Sequence, residues 1–222
     1  AGARIDRGTG VIYWMPARNQ AATTNVFAVV VSDDGTPPAS ATNSFRVIVD
    51  DYLELFPGGG VVETGQSSNV ALWVRSSVQV TNVRAALWIG SDRLTNVRLT
   101  PVLAGVAGAL QPQGPGAWEL SLSSGSEPIP VGERVLAQLE FSASPGESVI
   151  VPFSLDLVTA WQTNAVAVPR TLGGANRVVV VGVQPVLEVF PSTNGSPALV
   201  VYGQPGSSVV VESTLDLGNS ES

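Results

Sequence analysis

A chain of 222 residues with 44% hydrophobic and 13% charged side chains can bury one large or two small globular cores. Its net charge of −7 argues against nucleic acid or anionic lipid as a partner, because both are held by clustered positive charge that displaces counterions. There is no Cys and no His, and every basic side chain is an Arg, which excludes a His general base, a Cys nucleophile, a Lys Schiff base, a phosphate-loop Lys and any His or Cys metal site within these residues.

The lack of Cys leaves no disulfide framework from which to read a redox compartment. No apolar run reaches the length that spans a bilayer, and the opening residues AGARIDRGTG lack the apolar stretch of a signal peptide, so a mature or excised fragment is expected. The 23 Gly and 16 Pro punctuate Val-rich runs, the pattern of an all-β chain.

In chain order, the turn DRGTG leads into a strand over Val11 to Met15 and then a hairpin with arms Asn25 to Ser32 and Thr42 to Val49. Phe27, Val29 and Val31 share one parity, as do Phe45, Val47 and Val49, and DDGTPPAS between the arms is rich in chain-reversing residues. Three or four strands are too few to close a sandwich, so residues 1–50 are expected to be part of a domain that starts before Ala1.

Residues 51–183 supply strands for a complete two-sheet sandwich: Tyr52 to Phe56, Asn69 to Arg75, Val83 to Ile89, Ala117 to Leu122, Arg134 to Ser142, Ser148 to Leu157 and Arg177 to Gly182. The stretch from Asn69 to Leu99 alternates most cleanly and reads as two paired strands that turn at Asn82, with Val70, Leu72 and Val74 on one face of the first and Val83, Ala85, Leu87 and Ile89 on one face of the second. Leu72, Val74, Leu87 and Leu139 are expected in one core. PVLAGVAGAL, Pro101 to Leu110, is the longest helix candidate, but it is apolar all round, holds two glycines and lacks an N-cap partner, so a loop or short turn is expected equally. VLEVFP at Val186 echoes YLELFP at Tyr52, and both read as domain openings. Residues 184–222 are therefore expected to begin a further, truncated β-sandwich.

These segments carry resemblances. ARIDRGTGVIYWMP followed by FAVVVSDDGTPPASATNSFRVIVDD resembles the second half of the cadherin-like or Ig-like repeats of long bacterial surface and secreted proteins, without the longer Asp/Asn linker motif of true cadherins. VETGQSSNVALWV, VTNVRAALWIGSDRLTNVRL, GERVLAQLEFSA and IVPFSLDLVTAWQTNAVAVP, with NRVVVVG after it, resemble a cohesin-like domain across the whole middle segment. GSPALVVYGQPGSSVVVESTLDL is similar to the start of a fibronectin-like module. Together they imply tandem β-sandwiches, Ig-like and cohesin-like, in an extracellular or cell-surface bacterial protein.

Asp33 and Asp34, with Asp50 and Asp51 one strand later, are the candidate metal ligands, for calcium as in cadherins. A connecting strand of about eight residues at roughly 3.3 Å each sets the pairs on the order of 25 Å apart. They cannot share one ion, and an isolated pair offers fewer than the six to eight oxygens calcium takes, so turn formation competes with metal binding. Trp73 and Trp88 fall on the parity opposite to their aliphatic neighbours, with Trp118 and Trp161 as further candidates. Exposed in one plane they would stack on sugar rings; buried, they would only fill the sandwich. Glu119, Glu127, Glu133, Glu140 and Asp156 are the carboxylates from which a glycosidase pair would have to come, and Glu119 and Glu140 read as solvent-facing. Gly58 to Gly60 read as a flexible turn, and Asn194-Gly195-Ser196 matches a glycosylation sequon.

The expected function is non-enzymatic: a spacer and protein-interaction (adhesion or scaffold) segment, with no cofactor unless calcium, whose cohesin-like domain would bind a protein partner module through a flat sheet face. The alternative is a carbohydrate-binding accessory to a polysaccharide-degrading protein.

Overall fold

The computed structural model describes residues 2–191 and 197–210. It is all-β, with a single 3-10 turn at Arg18–Gln20 among the described residues, and none of its helices is long and apolar enough to cross a membrane. The sequon Asn194-Gly195-Ser196 and the segment after Val210 lie outside the described residues.

Strands β1 (Arg4–Ile5) and β2 (Ile12–Tyr13) pair across the DRGTG turn. The Asp6 carboxylate accepts the backbone N–H groups of Thr9 and Gly8 at 2.9 Å each. Those hydrogen bonds, Thr9 first, hold its pKa below the ordinary value. β3 (Thr23–Ser32) and β4 (Ser40–Val49) form the hairpin, its arms longer by two residues than the alternation indicated. Phe27 pairs with Phe45 and their rings stack at 5.3 Å, while Trp14 meets Phe27 edge-on at 5.0 Å. The other side of the hairpin leaves Val26, Val30 and Ile48 exposed.

The next strands build the sandwich: β5 (Tyr52–Pro57), β6 (Gly60–Glu63), β7 (Ser67–Ser76), β8 (Val80–Ile89), β9 (Leu94–Pro101), β10 (Val106–Gly114), β11 (Ala117–Ser124), β12 (Gly132–Ala143), β13 (Val149–Gln162), β14 (Arg170–Gly173) and β15 (Ala175–Val181). One sheet runs β10-β11-β8-β13-β15-β6 and the other β14-β5-β7-β12-β9. Pairing is antiparallel except for β14 with β5 and β15 with β6. Leu72, Val74, Leu87 and Leu139 lie in one buried core as expected. Phe141 of one sheet meets Phe153 of the other edge-on at 6.0 Å.

Two expectations are corrected. β7 and β8 are not a hairpin: they belong to different sheets. The chain crosses between them at Ser77 to Gln79, and Asn82 lies within β8. There the buried Ser76 hydroxyl donates to the Val78 carbonyl at 2.7 Å. Alternation reports which side chains face inward, and an arch between facing sheets keeps the same parity as a hairpin within one. PVLAGVAGAL is a short turn only over residues 102–105, with a reversal at Gly105 (φ +75°), and its ends are strand: Pro101 closes β9 and Val106 to Leu110 open edge strand β10. Gly108 is there for space: a Cβ would stand 2.9 Å from Pro101 Cγ and 3.0 Å from Leu99 Cδ2 and Leu122 Cδ2.

β16 (Val186–Phe190) and β17 (Ala198–Tyr202) form a further two-stranded sheet. It is tied to β15 by Glu188, which accepts from Arg177 Nη2 at 2.8 Å and from the Tyr202 hydroxyl at 3.1 Å. The Arg177 guanidinium also lies over the Phe190 ring at 4.8 Å.

Candidate functional site

The two outer faces of the sandwich differ in what they leave free. On the five-stranded sheet, Arg75 bridges Glu54 at 2.5 Å and Glu133 at 2.6 Å, and Arg18 reaches Glu54 at 3.3 Å. Hydrogen bonds that Arg75 donates to Glu133, then to Glu54, raise its pKa. Phe56 stacks on Trp73 at 6.5 Å, and Arg75 lies 5.2 Å from the Phe56 centroid. These groups satisfy one another.

The face of the six-stranded sheet is more open. In β8 the inward residues Val83, Ala85, Leu87 and Ile89 alternate with outward Asn82, Arg84, Ala86 and Trp88. Register then fixes rows across β10, β11, β8 and β13: Gly114, Ala117, Trp88, Ser154; Gln111, Glu119, Ala86, Asp156; Ala109, Ser121, Arg84, Thr159; and Ala107, Ser123, Asn82, Trp161. Most of these side chains are small, so the surface is flat.

Two features rise from it. In β13 the register slips between Asp156 and Thr159. The extra residue of this bulge, Leu157, takes φ +50° and is 84% exposed, while Val158 resumes the inward parity. A bulky residue in the left-handed region costs on the order of 1–3 kcal/mol, and such strain concentrates at sites of function. Trp88 is 46% exposed. Its ring reaches over Gly90, where a Cβ would come within 2.6 Å of Trp88 Cη2 and of Pro152 Cγ. Its Nε1 points toward Gly116, itself at φ +69°. Between these features is a depression of about 540 Å³ lined by Arg84, Ala86, Trp88, Gln113, Glu119 and Leu157 among others.

The predicted tryptophans are not brought together. Trp73 and Trp88 stand on opposite outer faces and share no plane. Trp118 shares the parity of Leu120 and Leu122 and packs against the core. Trp161 faces outward, half-buried, three rows from Trp88 and hence about 20 Å along β8. Among the carboxylates, Glu119 and Asp156 flank Ala86 on the open face and line its shallow depression, while Glu133 and Glu140 lie on the other outer face. Gly58 and Gly59 link β5 to β6, and Gly60 begins β6. Arg84, Gln113 and Leu157 were not singled out from the sequence.

The acidic pairs sit at opposite ends of the β3–β4 hairpin. Asp33 Oδ1 accepts the N–H groups of Gly35 at 3.1 Å and Ala39 at 2.8 Å, closing the turn, and Asp51 Oδ1 accepts the Ser77 hydroxyl at 3.1 Å. Among the described residues no three His, Cys, Asp or Glu side chains form a group able to hold a metal. Adding millimolar calcium is expected to leave the melting temperature unchanged, since a ligand stabilises only by binding the folded state. A rise of several degrees that disappears in Asp50→Asn/Asp51→Asn would instead place a metal at that junction.

No protein-family model matches the chain, and no curated protein matches it. Its structure is similar to CaCohA2 of Clostridium acetobutylicum, solved in complex with a variant of CaDoc0917, at 16% identity and TM-score 0.50 over 58% of this chain and 99% of that one. It is similar to the cohesin module of a family 33 glycoside hydrolase from Clostridium perfringens, at 10% identity and TM-score 0.52 over 60% and 98%. At such identities the likeness is one of fold, and the two-sheet sandwich of this chain is cohesin-like.

Proposed function

We propose that the sandwich is a non-catalytic interaction module that docks a protein partner on the open face of β10-β11-β8-β13, within an extracellular or cell-surface bacterial protein. In this reading residues 1–50 belong to a cadherin-like or Ig-like module and residues 184–222 open a fibronectin-like one, so the chain serves as spacer and scaffold. The observation that carries it is Leu157, a strained and almost fully exposed aliphatic side chain raised from a flat sheet of small residues. Binding energy concentrates on a few anchors surrounded by near-neutral contacts, and burying an exposed Leu side chain is worth about 1.5–3 kcal/mol. The CaCohA2 complex, in which a similar sandwich holds a protein partner, supports the same reading.

The test immobilises the chain and exposes it to the secreted proteins of its source organism. A partner retained by the wild type should be lost, by about tenfold or more in affinity, with Leu157→Asp. It should be kept with Gln138→Arg, a change on the opposite outer face. No retained protein, or a partner indifferent to Leu157→Asp, would overturn the proposal.

A further inference from the structure

We infer a second binding function on the same face: the Trp88 end of the depression holds a pyranose ring of a neutral oligo- or polysaccharide. A pyranose presents two apolar C–H faces and a rim of hydroxyls. It is held by a flat, accessible aromatic face beside planar acceptors and donors that meet the rim.

Trp88 supplies the face. It is 46% exposed and its ring reaches over Gly90, where a Cβ would stand 2.6 Å from its Cη2 and 2.8 Å from its Cζ3. A side chain at position 90 would therefore displace the ring. Glu119 and Asp156 supply rim acceptors one row away. Each is oriented through one oxygen: Gln113 Nε2 donates to Glu119 Oε2 at 3.3 Å, and the Ser154 hydroxyl donates to Asp156 Oδ2 at 3.1 Å. The second oxygen of each carboxylate has acceptor capacity left for a hydroxyl, and Arg84, lining the same depression, brings donors. The depression of about 540 Å³ falls within the ~300–1,000 Å³ of small-ligand sites.

Charge narrows the sugar. Two carboxylates against one guanidinium disfavour a uronic acid and accept a neutral ring. A cationic side chain of a protein partner would also suit Trp88 and two carboxylates. Salt separates the two, since a neutral sugar is insensitive to ionic strength and an exposed cation is screened.

The experiment titrates the whole chain with cellohexaose, xylohexaose and mannohexaose. The readout is the indole N–H resonance of Trp88, identified by its loss in Trp88→Phe. At least one hexasaccharide should move that resonance at millimolar concentration, unchanged by added salt. Trp88→Ala should weaken binding about tenfold or more, which is the loss expected of a principal anchor. Gly90→Ala should weaken it with the fold intact, and Gln138→Arg, on the opposite outer face, should leave it unaltered. No response to any of the three sugars at about 10 mM, where even ligands weaker than the ~1 mM class register, would overturn the inference. So would binding that survives Trp88→Ala or falls with salt.

Discussion

Replacing Leu87 by Ala is expected to destabilise the protein by about 2–5 kcal/mol. Leu87 is 1% exposed and lies on β8, which is flanked by β11 and β13 and faces the other sheet through the core. Its register partners are Trp118 and Leu155, both directed inward. Neighbours hydrogen-bonded on both sides hold the strand in place, so the cavity left by the side chain cannot collapse. The lost contacts then add to the lost transfer free energy. Leu172→Ala, at a position 57% exposed on β14, should stay within about 0.5 kcal/mol and serves as the control. Urea unfolding at 25 °C measures both. A loss below about 1 kcal/mol for Leu87→Ala would mean that β8 presents the other parity to the core.

Much of this was legible in the sequence, for a reason that also sets the limit. Val70, Leu72 and Val74, and Val83 to Ile89, announced their inward faces because one face of each strand is buried and the other is not. Partner choice leaves no such mark, and so β7 and β8 read as a hairpin although they face each other across the core. β6 and β14 are four residues each and pair in parallel with strands distant in sequence, a relation that local pattern cannot contain. Trp118 was within reach, since Leu120 and Leu122 share its parity. The site was legible in part. Trp88 follows from alternation, but the room for its ring depends on Gly90, and the rows that set Glu119 and Asp156 beside Ala86 depend on which strands are neighbours. Leu157 had part of a signal: the apolar residues run 151, 153, 155, 157 and then 158, 160, so the period slips by one, but only burial shows that Leu157 is the residue left outside. That slip of one in the period is the mark of a bulge.

Gly173→Ala is expected to cost about 3 kcal/mol or more, at or beyond the upper end of ordinary overpacking. A Cβ built on Gly173 stands 1.7 Å from the Leu155 carbonyl oxygen and 2.6 Å from its carbon, and both are backbone atoms that cannot rotate away. Relief on the other side is blocked too, because Gly174 lies where a Cβ would be 2.5 Å from Phe56 Cβ. The two glycines mark the passage from β14 in one sheet to β15 in the other. There the Leu155 N–H donates to the Gly174 carbonyl at 3.0 Å and the Gly174 N–H donates to the Leu55 carbonyl at 2.9 Å. An added methyl must therefore spread the sheets or displace β13. Displacement of β13 at Leu155 moves Asp156 and the Leu157 bulge directly after it, so the damage should reach the open face. Gly125→Ala is the matched control: its nearest neighbour would be the Gly105 carbonyl at 3.5 Å, an ordinary contact. That change should be neutral or stabilise by up to about 1 kcal/mol. Urea unfolding gives the stabilities, and amide resonances of residues 155–157 report the displacement. Stability of Gly173→Ala within about 1 kcal/mol of the wild type, with those resonances unmoved, would show that β13 and β14 do not meet as closely as this passage requires.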